Sequence, residues 1–491
     1  MLVQVPPRRI VTDVPSESVS PELQFKPSAP DLQFKVFSKL WAIATLFHLA
    51  HSSIFDVQLN LALLTLSAFY LIFRPSLYAF LFLVVFQTFD AVFRMPITTN
   101  HWVFTAFVNL TILQCLLFLM MRNRTFFVGG GDLFKTFAPV VRIEVIILYA
   151  FAVFHKLNSD FFNPAASCAT DLLKAQHLDA LIVPDERLFT ANAYLTLLVE
   201  CLIPLLLCFR KTVNVGVLLG LVFHCVLSFS SYNAFFDFSS MLFALYFLFL
   251  NPVFSVKLYE IPARLRRRIQ PFLTHFSVRK LLYVITAVAV FLGVIYLLTK
   301  KLNTFHSVHL YFFWTVFSLV CTWSFIRIIF LSRQEARPAQ PMFRIANGAM
   351  IVIPLLVFLN GTSPYLGLKT ENSYAMFSNL KTEGGTSNHF LVPADIQLFD
   401  YQKDVVEIVS STDPFLAELA AANKALVLFE FRNYVHERKP EMVEYLLNGD
   451  RQTFTKGDKV ATAALGRNPY VLAKLMKFRP FSPSNAQTCE H

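Results

Sequence analysis

The 491-residue chain is short of charge: 43 Lys plus Arg and 32 Asp plus Glu make 15% of it, against roughly 25% in a soluble globular protein. Glycine (14) and proline (25) are too few for a collagenous or low-complexity chain. The seven cysteines show no CxxC spacing, which excludes a disulfide framework and a zinc ribbon. What fills the chain instead is apolar. Hydrophobic residues reach 55%, Phe alone numbers 54, and the mean hydropathy is +0.52. An ordinary soluble enzyme and a disordered chain are both excluded, and a multi-spanning membrane protein remains.

A helix that crosses ~30 Å of hydrocarbon needs about 20 mostly apolar residues. Runs that approach this lie at 37–53, 57–73, 76–94, 101–121, 138–156, 193–209, 213–230, 236–251, 280–298, 308–330 and 343–360. The first is interrupted by Lys39, His48 and His51, and several others are short, so nine to eleven spans are expected. Basic residues collect in alternate connections: Arg8 and Arg9; Arg74; Arg122 and Arg124; Arg210 and Lys211; Arg264 to Arg268; Arg333 and Arg337. Such a bias marks the cytoplasmic side. It predicts a cytoplasmic N-terminus and a lumenal or periplasmic segment after residue 361, in a bacterial cytoplasmic membrane or the endoplasmic reticulum. The net charge of +11 is thereby read as topology, and nucleic acid is not an expected partner. Residues 1–36, polar and rich in Pro and Ser, read as a flexible tail without a signal peptide.

Three domains follow: the tail at 1–36, an all-α polytopic membrane domain at 37–360, and a small α+β or β-rich extramembrane domain at 361–491. In the last, alternation over Ala425 to Tyr434 predicts strands. Residues 439–448, with Pro440 near the start and Asn448-Gly449-Asp450 after, predict a helix. Cys168 and Cys489 are the two cysteines expected outside the spans, and they could pair in an oxidising compartment.

Ionisable residues in hydrocarbon cost at least ~2.5–3.5 kcal/mol each on insertion scales, so they point to function first. The segment from Pro139 to Pro164 is richest. Glu144 and His155 share one helical face, and Arg142 and Lys156 another. Arg142 and Lys156 also suit snorkelling to opposite interfaces. Asn158, Asp160 and Asn163 add the polar groups that a cavity-lining segment needs. Asp90 and Arg94, at i and i+4, predict a structural ion pair. Asn100 and His101 open the fourth run. Glu200 sits mid-helix, four residues before Pro204, where a carboxylate needs a partner. His224 lies deep in its run, followed by Asn233 and Asp237. His48 and His51 share a face but have no evident third ligand, so no metal is expected. On the predicted topology His101, Lys156 and the turn from Asn233 to Asp237 converge in one half of the membrane. Lys156 there could act as a base or be neutralised by Asp160.

The stretch FHKLNSDFFNP (154–164) resembles the signature of the membrane domain shared by vitamin K-dependent γ-carboxylases and the horizontally transferred transmembrane (HTTM) proteins. TTNHWVF (98–104), ECLIPLLL (200–207), the run at 222–249 and PYLGLKTENSYAMFSNLKTEGG (364–385) agree with it. The resemblance implies a carboxylase coupled to quinol epoxidation. Lys156 would be the base on reduced vitamin K or another quinol, O2 and CO2 would be co-substrates, and a glutamyl or other weak carbon acid would be the acceptor. No side chain is basic enough for that acceptor, so a quinol in a dry pocket must generate the base. By the same resemblance His101 assists carboxylation, with His155 and His224 in support. Asn100, Asn158, Asp160, Glu200, Asn233 and Asp237 are the expected pocket residues.

The resemblance departs in one place: where the animal enzymes carry two adjacent lysines, this chain has His155-Lys156. The roughly 130 residues after position 361 are also few beside the lumenal region of those enzymes. A protein or peptide substrate on the lumenal or periplasmic side is compatible with the reading, whereas maturation of Gla proteins is not implied. The alternative is an HTTM protein that transports or binds a lipid, quinone or ion without carboxylating. A third reading is an assembly factor whose last domain binds partners through an exposed apolar patch after residue 385.

Overall fold

The computed structural model describes residues 28–52, 59–176, 185–230, 235–261, 308–331 and 342–489, with a few single positions between 282 and 290. Helices come first: α1 Ala29–Ser52, α2 Leu59–Phe73, α3 Leu77–Arg94, α4 Asn100–Asn123, α5 Gly130–Phe154, α6 Cys168–Lys174, α7 Glu186–Leu207, α8 Val213–Leu227 and α9 Phe236–Phe247. Then follow α10 Pro252–Ile261, α11 Val308–Leu331 and α12 Val352–Thr362. Four of these, α3, α4, α5 and α7, are long and apolar enough to cross a bilayer, as is Leu310–Ile329 within α11. Their outward faces carry Phe89 and Phe93, Leu198 and Leu205, and Leu319 and Trp323, all exposed. A chain with five such helices and apolar outer faces is a multi-pass membrane protein.

Among the described residues five helices meet the length of a span, or six if α9 and α10 form one bent span, against the nine to eleven expected. Helices α2 and α8 have 15 residues each and α12 has 11, so α2 and α8 reach about 22 Å at 1.5 Å per residue and α12 less. The run at 236–251 does not continue straight. Its helix ends at Phe247, and α10 leaves at 113° from Pro252, a residue that disfavours helix before itself. The run at 280–298 lies outside the described residues.

Residues 29–36, expected in the tail, are helical. Helix α1 starts at Ala29 and buries Leu32, Phe34 and Val36. Asp31 Oδ1 accepts from the Gly131 backbone N–H at 3.1 Å, and Phe34 packs so closely over Gly130 that a Cβ there would lie 2.5 Å from its ring. The start of α1 is thus held by the start of α5. The bundle core is aromatic, built on Phe37, Trp41, Phe80, Phe104, Phe137 and Phe236. Arg142 ties two segments of the bundle together. Its guanidinium donates to the carbonyls of Leu248 (2.8 Å from Nε) and Met342 (2.7 Å), satisfying the end of one helix and the chain that leads to another.

Beyond α12 stands a four-stranded antiparallel sheet of order β2-β1-β3-β4. Its elements are β1 Val405–Ser411, α13 Pro414–Ala421, β2 Ala425–Val427, α14 Leu428–Arg438, β3 Met442–Leu447, β4 Asp450–Thr455, α15 Lys459–Leu465 and α16 Tyr470–Leu475. Two expectations are corrected here. The alternating stretch from Ala425 is a strand for three residues only and then turns into α14. Leu428, Phe431 and Val435, spaced three and four apart, go into the core and outweigh the alternation. The predicted helix at 439–448 is instead β3. Lys439 adopts a left-handed φ of 50° that ends α14, Val443 and Tyr445 alternate inward, and Asn448 and Gly449 (φ 51° and 92°) make a two-residue hairpin turn into β4.

Irregular chain at 363–403 and 476–489 joins sheet to bundle. Cys168 and Cys489 form a disulfide. Lys369 is buried in the joining segment, and burial pushes its amine down to about 8.

Candidate functional site

A cavity of about 460 Å³ lies where the bundle meets the joining segment. Its polar wall is assembled from several helix ends. Asn100 and His101 open α4, whose preceding residue Thr99 is the N-cap. Tyr149 lies near the end of α5, and Lys156 follows it in a turn. Glu200 comes from α7, His224 from the last turn of α8, and Asp237 from the first turn of α9, where the helix dipole favours a carboxylate. Leu148, Phe161, Leu195, Val199, Phe223 and Leu227 supply an apolar wall.

Three pairings organise the polar wall. Lys156 Nζ forms an ion pair with Glu200 Oε2 at 2.7 Å and also donates to the Ala152 carbonyl at 3.1 Å. The two charged groups are 5% and 13% exposed, so each compensates the other in a poorly hydrated place. The neutralising carboxylate is therefore Glu200 and not Asp160. The Tyr149 hydroxyl bonds His224 Nε2 at 2.8 Å and, by a short contact, the Tyr246 hydroxyl. Gly220 lets the Tyr246 ring approach, since a Cβ there would fall 2.5 Å from it. Asp237 Oδ2 lies 2.8 Å from His101 Nε2 and 2.9 Å from His48 Nδ1.

The roof is the segment from Thr370 to Phe377 together with Arg479. Four non-glycine residues there or just beyond it, Asn372, Tyr374, Phe377 and Asn379, have φ between 50° and 68°, a conformation that must be enforced by surroundings. Asn372 Nδ2 donates to the Pro96 carbonyl, and the Tyr374 N–H to Asn100 Oδ1 at 2.8 Å. Phe377 packs on Phe235, with ring centroids 4.8 Å apart. Asn379 receives the Cys168 N–H and donates to the carbonyls of Ala166 and Gln487. Asn100 thus lines the cavity and also holds its cover.

The remaining sequence candidates lie elsewhere. His155, the neighbour of Lys156, points away from the cavity: its Nδ1 bonds the Tyr365 hydroxyl at 2.8 Å and its Nε2 the Ser373 carbonyl at 3.1 Å. Asn158 receives the N–H groups of Asp160 and Phe161 and donates to the carbonyls of His155 and Ser378. Asp160 receives Asn388 Nδ2 and the Gln487 N–H, both at 2.8 Å. None of the three lines the cavity, so they act as a clasp for the joining segment and not as pocket residues. Asn233 lies outside the described residues. Asp90 and Arg94 pair as expected, at 2.9 Å, and Asp90 also receives Trp102 Nε1 and Asn60 Nδ2. The pairing of His48 with Asp237 differs from the expected His48 and His51 face, and the His51 side chain lies outside the described residues.

Tyr149, Tyr246, Glu371 and Arg479 were not legible as site residues. Tyr149 carried a usable signal, since it precedes Lys156 by seven residues and so shares its helical face. Arg479 carried none, because it reaches the cavity across more than 300 residues of chain from Lys156. Comparison with protein-family models, with curated proteins and with solved structures gives no match for this chain.

Proposed function

We propose that the cavity is the active site of a γ-carboxylase-like membrane enzyme, with Lys156 as the base and the sheet domain on the lumenal or periplasmic side. The observation that carries this reading is the Lys156–Glu200 ion pair in the polar wall of a mostly apolar cavity. An amphiphilic ring with an apolar tail suits such a wall. A reduced quinone, when bound, supplies with O2 the strong base that the chain's own side chains lack. Lys156 Nζ, made neutral when its own proton passes to Glu200 Oε2, would take the quinol hydroxyl proton; the pair would then carry one added positive charge, balanced by the negative charge left on the deprotonated quinol beside it. His224 and Tyr149, already hydrogen-bonded to each other, orient a ring oxygen. His101 stands across the cavity, in the role the family resemblance gives it at the carboxylation step. The roof covers one side of the cavity. The disulfide between Cys168 and Cys489 supports placement of the sheet domain in an oxidising compartment.

The test is quinol epoxidation by purified protein in nanodiscs, supplied with reduced vitamin K, O2 and bicarbonate. Epoxide from wild type and at least a hundredfold less from Lys156→Ala is expected. Folded protein that binds the quinol without forming epoxide would instead favour the lipid- or quinone-binding reading.

A further inference from the structure

The three donor atoms His48 Nδ1, His101 Nε2 and Asp237 Oδ2 lie within 4.8 Å of one another. They come from three helices, α1, α4 and α9, whose packing alone brings them together. A void of about 10 Å³ is lined by all three residues and by Trp41, Gln87, Trp102 and Met241. His101 and Asp237 also line the large cavity, so the group is closed on one side and open on the other. The ring of His48 stacks on Trp102 at 3.7 Å and 13°, which fixes its plane. Thr99 Oγ1 adds an oxygen 3.2 Å from His101 Nε2.

We propose that His48, His101 and Asp237 bind one divalent first-row transition ion, with its open position facing the large cavity. Two imidazoles and one carboxylate are the donor set of sites that leave room for water or substrate. Without an ion the same atoms satisfy one another as N–H donors to a shared carboxylate oxygen. With an ion, each neutral imidazole presents a lone pair instead, and its proton moves to the other ring nitrogen. Metal–ligand distances of about 2.0–2.2 Å require the Asp237 oxygen, now 2.8 and 2.9 Å from the two nitrogens, to open from each by about half an ångström, while the two nitrogens it separates close on the ion; the adjoining void gives these shifts room. The inference goes beyond the proposed reaction and does not depend on it.

Co(II) serves as the probe, because its visible bands report four- and five-coordinate nitrogen and oxygen donors. Metal-stripped protein in detergent is titrated with Co(II) alone, without quinol. Wild type should take up one equivalent with visible bands, and zinc should displace it. His48→Gln, which keeps a polar side chain beside Trp102, and Asp237→Asn should each weaken uptake at least tenfold. The double variant Lys156→Met with Glu200→Leu, which leaves no buried charge unpaired, should take up Co(II) as wild type does, although it abolishes epoxidation under the proposed function, so the two readings fail separately. X-ray absorption of the loaded wild type should show two imidazoles in the first shell, a readout independent of whether a variant folds. Wild-type protein of native melting behaviour that takes up no Co(II), or loaded protein with no imidazole scattering, overturns the proposal.

Discussion

Six residues of one segment, 155 to 160, divide between two tasks. Lys156 turns into the cavity and meets Glu200, while His155, Asn158 and Asp160 turn outward and hold the joining segment. The cavity wall is built from pairs that each leave an apolar space beside them. The clasp is built from groups whose partners lie largely in the joining segment, as backbone (Ser373, Ser378, Gln487) and as side chains (Tyr365, Asn388). Polarity inside an apolar chain therefore has two readings, and whether the group borders the cavity or is consumed in tying two segments together separates them.

The largest effect should come from breaking the cavity pair on one side. Lys156→Met leaves Glu200 buried and alone and should destabilise by about 3–5 kcal/mol, seen as a lowered melting temperature in detergent. The double variant with Glu200→Leu should recover most of it, and a double variant as unstable as the single one would show that the pair is not a unit. In the clasp, Asn158→Ala orphans two backbone N–H groups and two carbonyls and should cost about 2–4 kcal/mol. Its signature should be faster hydrogen exchange at Asp160 and Phe161. It should leave ligand affinity at the cavity nearly unchanged, which a titration of the folded variant checks.

Lys369 lies in neither group and sharpens the contrast. Its folded value, about 8, is below the unfolded value near 10.5. The unfolded chain thus binds the extra proton between these values, so stability contributed by this site rises with pH through that window and the full penalty stands below about 8. Lys369→Met should raise stability at pH 7 by up to about 3 kcal/mol and flatten the melting temperature between pH 8 and 10. A variant that melts lower at pH 7 would refute the account. The smallest effect is expected on the sheet surface, where Lys456 and Glu441 pair at 2.5 Å while 50% and 71% exposed. Lys456→Ala should change stability by less than about 0.5 kcal/mol.

Much of the bundle was legible because length and hydropathy act locally: α3 and α4 lie within two residues of the predicted limits, while α5 and α7 begin eight and seven residues earlier than predicted. Asp90 and Arg94 were legible for the same reason, being one helical turn apart. The cavity was legible in part, since Lys156, Glu200, His101, His224 and Asp237 are polar residues in apolar runs. Their pairings were not, because Glu200 and Asp237 find partners 44 and 136 residues or more away in sequence. The sheet region misled for a third reason. Short amphipathic segments such as 425–434 satisfy both periods, and the choice is made by neighbours such as Phe478 and Leu465 that the segment itself does not contain.

The fastening of Asn379, Asp160 and Cys168 to Gln487 and Cys489 has a consequence for biosynthesis. A ribosome delivers Cys168 some 321 residues before its partner. Through that interval the nascent bundle can insert and pack, but its clasp still lacks the bonds from Gln487 and Cys489. Completion of the cavity roof is therefore a late event in the life of the chain, and a product stopped a few residues before Gln487 would be inserted in the membrane with that roof only partly secured.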